Sequence, residues 1–126
     1  MDLTPLVPQG RQIIESYGDG RFRVTGAVHQ GSVLVFPDRT VAWPVGESAG
    51  LTEESLAGVA AAGDAGTIEL LLIGCGARMA MIPQKLRAAL RSHGVVIEPM
   101  DTGAAARTYN VLAAEGRKVA AALIAV

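Results

Sequence analysis

The sequence predicts a three-layer α/β fold: a mixed, mostly parallel sheet flanked by helices, with a β-hairpin region at the N-terminal end. Three observations carry this prediction. The runs 70–73 and 119–126 are apolar without alternation, as in parallel strands covered on both faces. Segments with apolar residues at helical spacing lie before and between them, so strands and helices alternate along the second half. Ahead of these, short β-rich stretches meet at glycine turns. A length of 126 residues fits one domain. Residues 1–10, with Pro5 and Pro8, are expected to form a loose arm, and 11–126 the single α/β domain.

Taken in order, 13–17 and 22–25 read as two strands joined by Gly18-Asp19-Gly20, which supplies the positive φ of a tight reversal. A strand over 32–36 ends at the turn Pro37-Asp38. A short extended piece over 41–45 is confined to an edge by Pro44. Thr52 is placed to cap a first helix, with Glu53 and Glu54 in its first turn and Leu51 and Leu56 positioned as a hydrophobic staple. Leu56, Val59 and Ala60 form its buried stripe, and Gly63 and Gly66 end it. The run 68–73 is then expected to be the central strand. Pro83 should begin a second helix with Leu86, Ala89, Leu90 and His93 on one face, stopped at Gly94. After a strand at 95–98, Asp101 or Thr102 should cap a third helix striped by Ala105, Tyr109 and Leu112 and ended by Gly116.

Composition excludes several functions. Eleven basic and twelve acidic residues give a net charge of −1, so no net basic field exists for nucleic acid. Aromatics make up only 4%, and the core must be filled by Ala, Val, Leu and Ile. A single cysteine forms no internal disulfide and suits a reducing compartment. The opening residues have no apolar core segment, and no apolar run is long enough to span a bilayer, so a cytoplasmic location is expected. His29 and His93 have no companions at ligand spacing, so neither a metal nor another cofactor is expected.

Two segments are candidates for a binding site. Gly74-Cys75-Gly76 follows the central strand, where ligands gather in open α/β sheets, and two glycines let backbone N–H groups approach an anion. The stretch matches neither GxGxxG nor a P-loop, and a plain turn is the competing reading. Cys75 is the only thiol; Arg78 is near it in sequence, but no base is. Asp101-Thr102 opens the third helix, whose N-terminus attracts anions. Arg107, one turn on, offers a charge-assisted bond, and Asn110 lies three residues beyond. Capping by Asp101 and Thr102 with a solvated Arg107 is the competing reading there.

Several motifs together resemble one family. They are Tyr17-Gly18-Asp19-Gly20-Arg21-Phe22, Trp43-Pro44-Val45, Leu71-Leu72-Ile73-Gly74-Cys75-Gly76, the helix Thr108-Tyr109-Asn110-Val111-Leu112 with the residues from Met100 leading into it, and Glu115-Gly116-Arg117. The chain resembles, over nearly its whole length after residue 10, the bacterial and archaeal domain family related to mitochondrial complex I assembly factor 3. The resemblance implies a three-layer α/β fold around a mixed sheet. It also implies help in assembling a respiratory membrane complex, at least in the eukaryotic relatives. Relatives often carry threonine where this chain has Cys75, which speaks against a thiol mechanism.

The leading expectation is a non-catalytic binding or assembly protein with a protein partner, homodimerisation being left open. The alternative is an enzyme or sensor for a small phosphorylated anion. Its site would lie between the Gly74–Arg78 loop and the third helix, with Arg78 and Arg107 as the clamp.

Overall fold

The computed structural model describes residues 10–126. The expected arm therefore lies outside the described residues except for Gly10, an exposed turn residue. Strands β1 (Ile14–Gly18), β2 (Arg21–Val24) and β3 (Ala27–Gln30) form an antiparallel meander. The first reversal is the predicted one: Gly18 pairs with Arg21, and Asp19 and Gly20 both have positive φ, as a two-residue type I′ turn requires. The second was not anticipated. Thr25 (φ 46) and Gly26 turn the chain back into β3. A β-branched residue is a rare choice for that conformation, and β3 is exposed on three of its four residues, so no alternation announced it.

The main sheet has five strands in the order β5-β4-β8-β6-β7, where β4 is Val33–Val35, β5 Thr40–Ala42, β6 Leu70–Gly74, β7 Val96–Met100 and β8 Val119–Leu123. β6 pairs in parallel with both β7 and β8, while β4 pairs antiparallel with β5 and β8. The sheet is mixed as expected, with its parallel part in the second half of the chain. The middle strand is β8 rather than β6. Its run Ala120-Ala121-Ala122 is buried on both faces, and small side chains there let helices approach closely.

Helices α1 (Ala57–Asp64) and α2 (Gln84–Arg91) cover one face over Leu56, Val59, Leu71, Ile73, Leu86 and Leu90. α3 (Thr102–Ala114) and the meander cover the other over Ile14, Phe22, Val24, Leu72, Ala105 and Tyr109. Each fully buried leucine or isoleucine of β6 contributes about 1.5–3 kcal/mol. The capping predictions are refined in detail. Thr52 and Ser55 bond each other reciprocally, side chain to backbone N–H, at 3.0 Å. They close a short 3-10 turn (Glu54–Leu56), after which α1 begins. Pro83 stands just before α2 in an extended conformation and offers its carbonyl to Leu86 and Arg87. Trp43 packs in the core, with Nε1 donating to the Ser55 carbonyl at 2.8 Å. No helix among the described residues is long and apolar enough to cross a membrane.

Candidate functional site

Parallel pairing of β6 with β7 brings the loop after β6 and the N-terminus of α3 together at the carboxyl edge of the sheet. The two segments bond directly to each other. The Cys75 N–H donates to the Met100 carbonyl at 2.8 Å, and the Thr102 N–H to the Gly76 carbonyl at 2.9 Å. The Thr102 hydroxyl, fully buried, accepts the Gly76 N–H at 3.0 Å and donates to the Ile124 carbonyl at 2.7 Å. A side chain on Gly74 would lie 2.9 Å from Thr102 Cα, so only glycine admits this approach. Gly74, Cys75, Gly76, Asp101 and Thr102 are thus brought together as a packed junction.

The polar groups of the junction face inward. Asp101 is the helix cap, its carboxylate accepting the Ala104 N–H at 2.8 Å. With Thr102 and Ala104 engaged, two of the first amide donors of α3 already have acceptors within the chain. Cys75 is buried in the apolar cluster under α2, its Sγ 3.7 Å from the Ile73 carbonyl.

Arg107 and Asn110 turn towards the meander instead. Arg107 Nη1 donates to the Tyr17 hydroxyl at 3.1 Å, above Gly103. Asn110 engages the backbone of Ile14 on both sides, accepting its N–H at 2.9 Å and donating to its carbonyl at 2.7 Å. This amide stands in for a neighbouring strand where β1 is irregular between Ile14 and Ser16. Arg78 is exposed on the loop after β6 and takes part in no ion pair among the described residues. The structure therefore gathers five of the eight candidates at the junction. It gives Arg107 and Asn110 to contacts with β1.

Tyr109 is a second buried polar side chain of α3, lying in the core on the meander side. Its hydroxyl donates to the Gln12 carbonyl at 3.1 Å, with the Phe36 carbonyl at 3.4 Å. Burial raises the phenol well above its ordinary pKa; Arg11 opposes the shift and Asp38 adds to it. His93 Nδ1 lies 2.8 Å from Asp64 Oδ1, joining the ends of α2 and α1, and His29 is on β3. No cluster of three metal-ligating side chains occurs among the described residues.

These features define a small α/β domain whose polar groups at the sheet edge hold its own loops together. The chain belongs to the family described as "Protein of unknown function (DUF498/DUF598)", which matches residues 14–124. It is 44% identical over 111 residues to an uncharacterised protein of Rhodobacter capsulatus, covering 88% of this chain and 82% of that protein. It is 32% identical over 111 residues to the human NADH dehydrogenase [ubiquinone] 1 alpha subcomplex assembly factor 3, covering 88% of this chain. The chain spans 59% of that assembly factor's length. Among solved structures, an outer membrane protein of Bartonella henselae superposes with a TM-score of 0.85 at 39% identity, over 93% of this chain and 97% of that one. An Mth938-like domain from Bordetella pertussis superposes with a TM-score of 0.82 at 30% identity, over 98% and 92%. The family read above all from the Thr-Tyr-Asn-Val-Leu helix followed by Glu-Gly-Arg is thus the family found.

Proposed function

We propose that this chain is a non-catalytic binding protein that assists assembly of a respiratory or other inner-membrane complex. The observation that carries the reading is the similarity, over 88% of the chain, to a protein named for assembling NADH dehydrogenase. The site geometry agrees with it. Asp101, Thr102 and Asn110 are engaged with backbone groups of the chain itself. The alternative reading, a phosphorylated metabolite held by Arg78 and Arg107, draws no support from this arrangement: Asp101 and Thr102 are engaged within the chain, and Arg107 Nη1 donates to the Tyr17 hydroxyl.

The test is affinity capture of the tagged chain from its own cells after reversible crosslinking. The reading expects subunits of a multi-subunit complex in fixed proportion to the bait. Capture of the bait alone, together with conversion of a metabolite pool by the purified chain, refutes it.

A further inference from the structure

We infer that the outer edge of β7, with the loop before α2, is a docking surface for an acidic protein segment bearing apolar anchors. The inference deepens the assembly reading and rests on it. Three features of the edge point to this occupant.

The first is an open groove of about 600 Å³ lined by Met79, Met81, Ile82, Pro83, Arg87 and Pro99. Met81 is 90% exposed and Met79 60%, and Val96 of the same edge is also exposed. Unbranched, polarisable methionines adapt to varied apolar partners and suit such a surface. An isolated exposed apolar residue is ordinary, but two exposed methionines on one groove, with Ile82 and Pro83 beside them, form a patch.

The second is charge. Between Glu69 and Glu98 the sequence holds no carboxylate and four cations: Arg78, Lys85, Arg87 and Arg91. None of the four takes part in an ion pair among the described residues. Arg91 is one turn beyond Arg87 and shares its side of α2. Lys85 lies apart, beside Glu53 and Glu54 in a neighbouring groove. Glu98 is the one carboxylate on the wall of the methionine groove. The unpaired arginines match a partner that brings its own carboxylates, and an arginine accepts a carboxylate through two parallel bonds.

The third is the mode of contact. The Val96 N–H donates to the Glu69 carbonyl and the Met100 carbonyl accepts the Cys75 N–H, so alternate residues of β7 turn their backbone towards β6. The backbone groups of Ile97 and Pro99 consequently point to the open edge, while the Ile97 side chain is buried. Pro99 has no N–H, and the Ile97 carbonyl accepts Arg87 Nη1 at 3.0 Å. Strand addition is blocked at both positions. The same bond fixes the Arg87 guanidinium, leaving its remaining donors already oriented at the groove. Recognition by side chains is the route left open.

The test uses the whole chain and a fluorescent twelve-residue peptide of leucine and glutamate, with a leucine and lysine peptide as control. Anisotropy at low salt should show binding of the acidic peptide only. Arg91→Glu should weaken it about fivefold, and Arg91→Glu with Met81→Ser about tenfold or more. Both positions are exposed, so the variants should keep the wild-type melting curve. Equal binding of both peptides, or affinity unmoved by the double substitution, overturns the proposal. Cosedimentation with phosphatidylglycerol vesicles without peptide binding overturns it in favour of a lipid surface. Recovery of a protein partner by crosslinking without peptide binding refutes this surface alone and leaves the assembly reading standing.

Discussion

Replacing Thr102 by valine tests whether the junction at the sheet edge is structural. Valine keeps the shape of threonine and substitutes a methyl for the hydroxyl. Two groups then lose their partner: the part-buried Gly76 N–H at 3.0 Å and the buried Ile124 carbonyl at 2.7 Å. Losing the first bond costs about 0.5–1.5 kcal/mol, and leaving the buried carbonyl unsatisfied costs about 1–3 kcal/mol. The added methyl returns about 0.8 kcal/mol. The expected loss is therefore about 2 kcal/mol, from a hydroxyl that is fully buried and shielded from water. Thr102→Ser keeps the hydroxyl and removes one methyl, so about 1 kcal/mol is expected. Equilibrium unfolding in urea measures both, with constant slopes showing that two-state behaviour holds. Faster hydrogen exchange at the Gly76 amide should accompany the valine variant. A valine variant within about 0.5 kcal/mol of wild type, or a serine variant as unstable as the valine one, refutes the reasoning.

Three further outcomes follow from the same geometry. Asn110→Ala should cost about 1–3 kcal/mol by stranding both backbone groups of Ile14, and faster exchange of the Ile14 amide locates the loss. Gly74→Ala should destabilise by about 1–3 kcal/mol, because its methyl meets backbone at Thr102 Cα, whereas Gly103→Ala should be nearly neutral, because it meets the movable tips of Tyr17 and Arg107; equal effects in parallel thermal melts would contradict the distinction. The Tyr109 phenol ionises less readily folded than unfolded, so its stabilisation is complete below about pH 10 and lost above it, at about 1.4 kcal/mol per pH unit. Tyr109→Phe should remove that alkaline slope, and stability–pH curves that run parallel for the two proteins would count against it.

Much of the fold was legible because strong local signals coincided with tertiary roles. The unalternating run at Leu70–Ile73 is the doubly covered β6, and Asp101 is the cap of α3. Two features escaped for physical reasons. β3 is exposed and follows a Thr-Gly turn, so it lacked both the alternation and the usual turn residues. β8 is central although alanines dominate it, because its position depends on partners distant in sequence rather than on its own hydrophobicity.

The candidate site was legible in place but not in use. Spacing and strand order brought Gly74–Gly76 and Asp101–Thr102 together. Whether a hydroxyl or amide faces solvent or a backbone group depends on the side-chain direction, and Thr102 and Asn110 both point inward. The methionine groove left a trace that was readable in the sequence: the stretch between Glu69 and Glu98 that lacks any carboxylate. That trace has no periodicity, and only the edge position of β7 gives it a surface.

Native mass spectrometry of the chain isolated gently from its own cells tests the binding-protein account most directly. The account predicts masses of the chain joined to one or more other polypeptides, with no small molecule retained when those complexes dissociate. The bare chain carrying the fixed mass increment of a phosphorylated metabolite, with no other polypeptide bound, would contradict it.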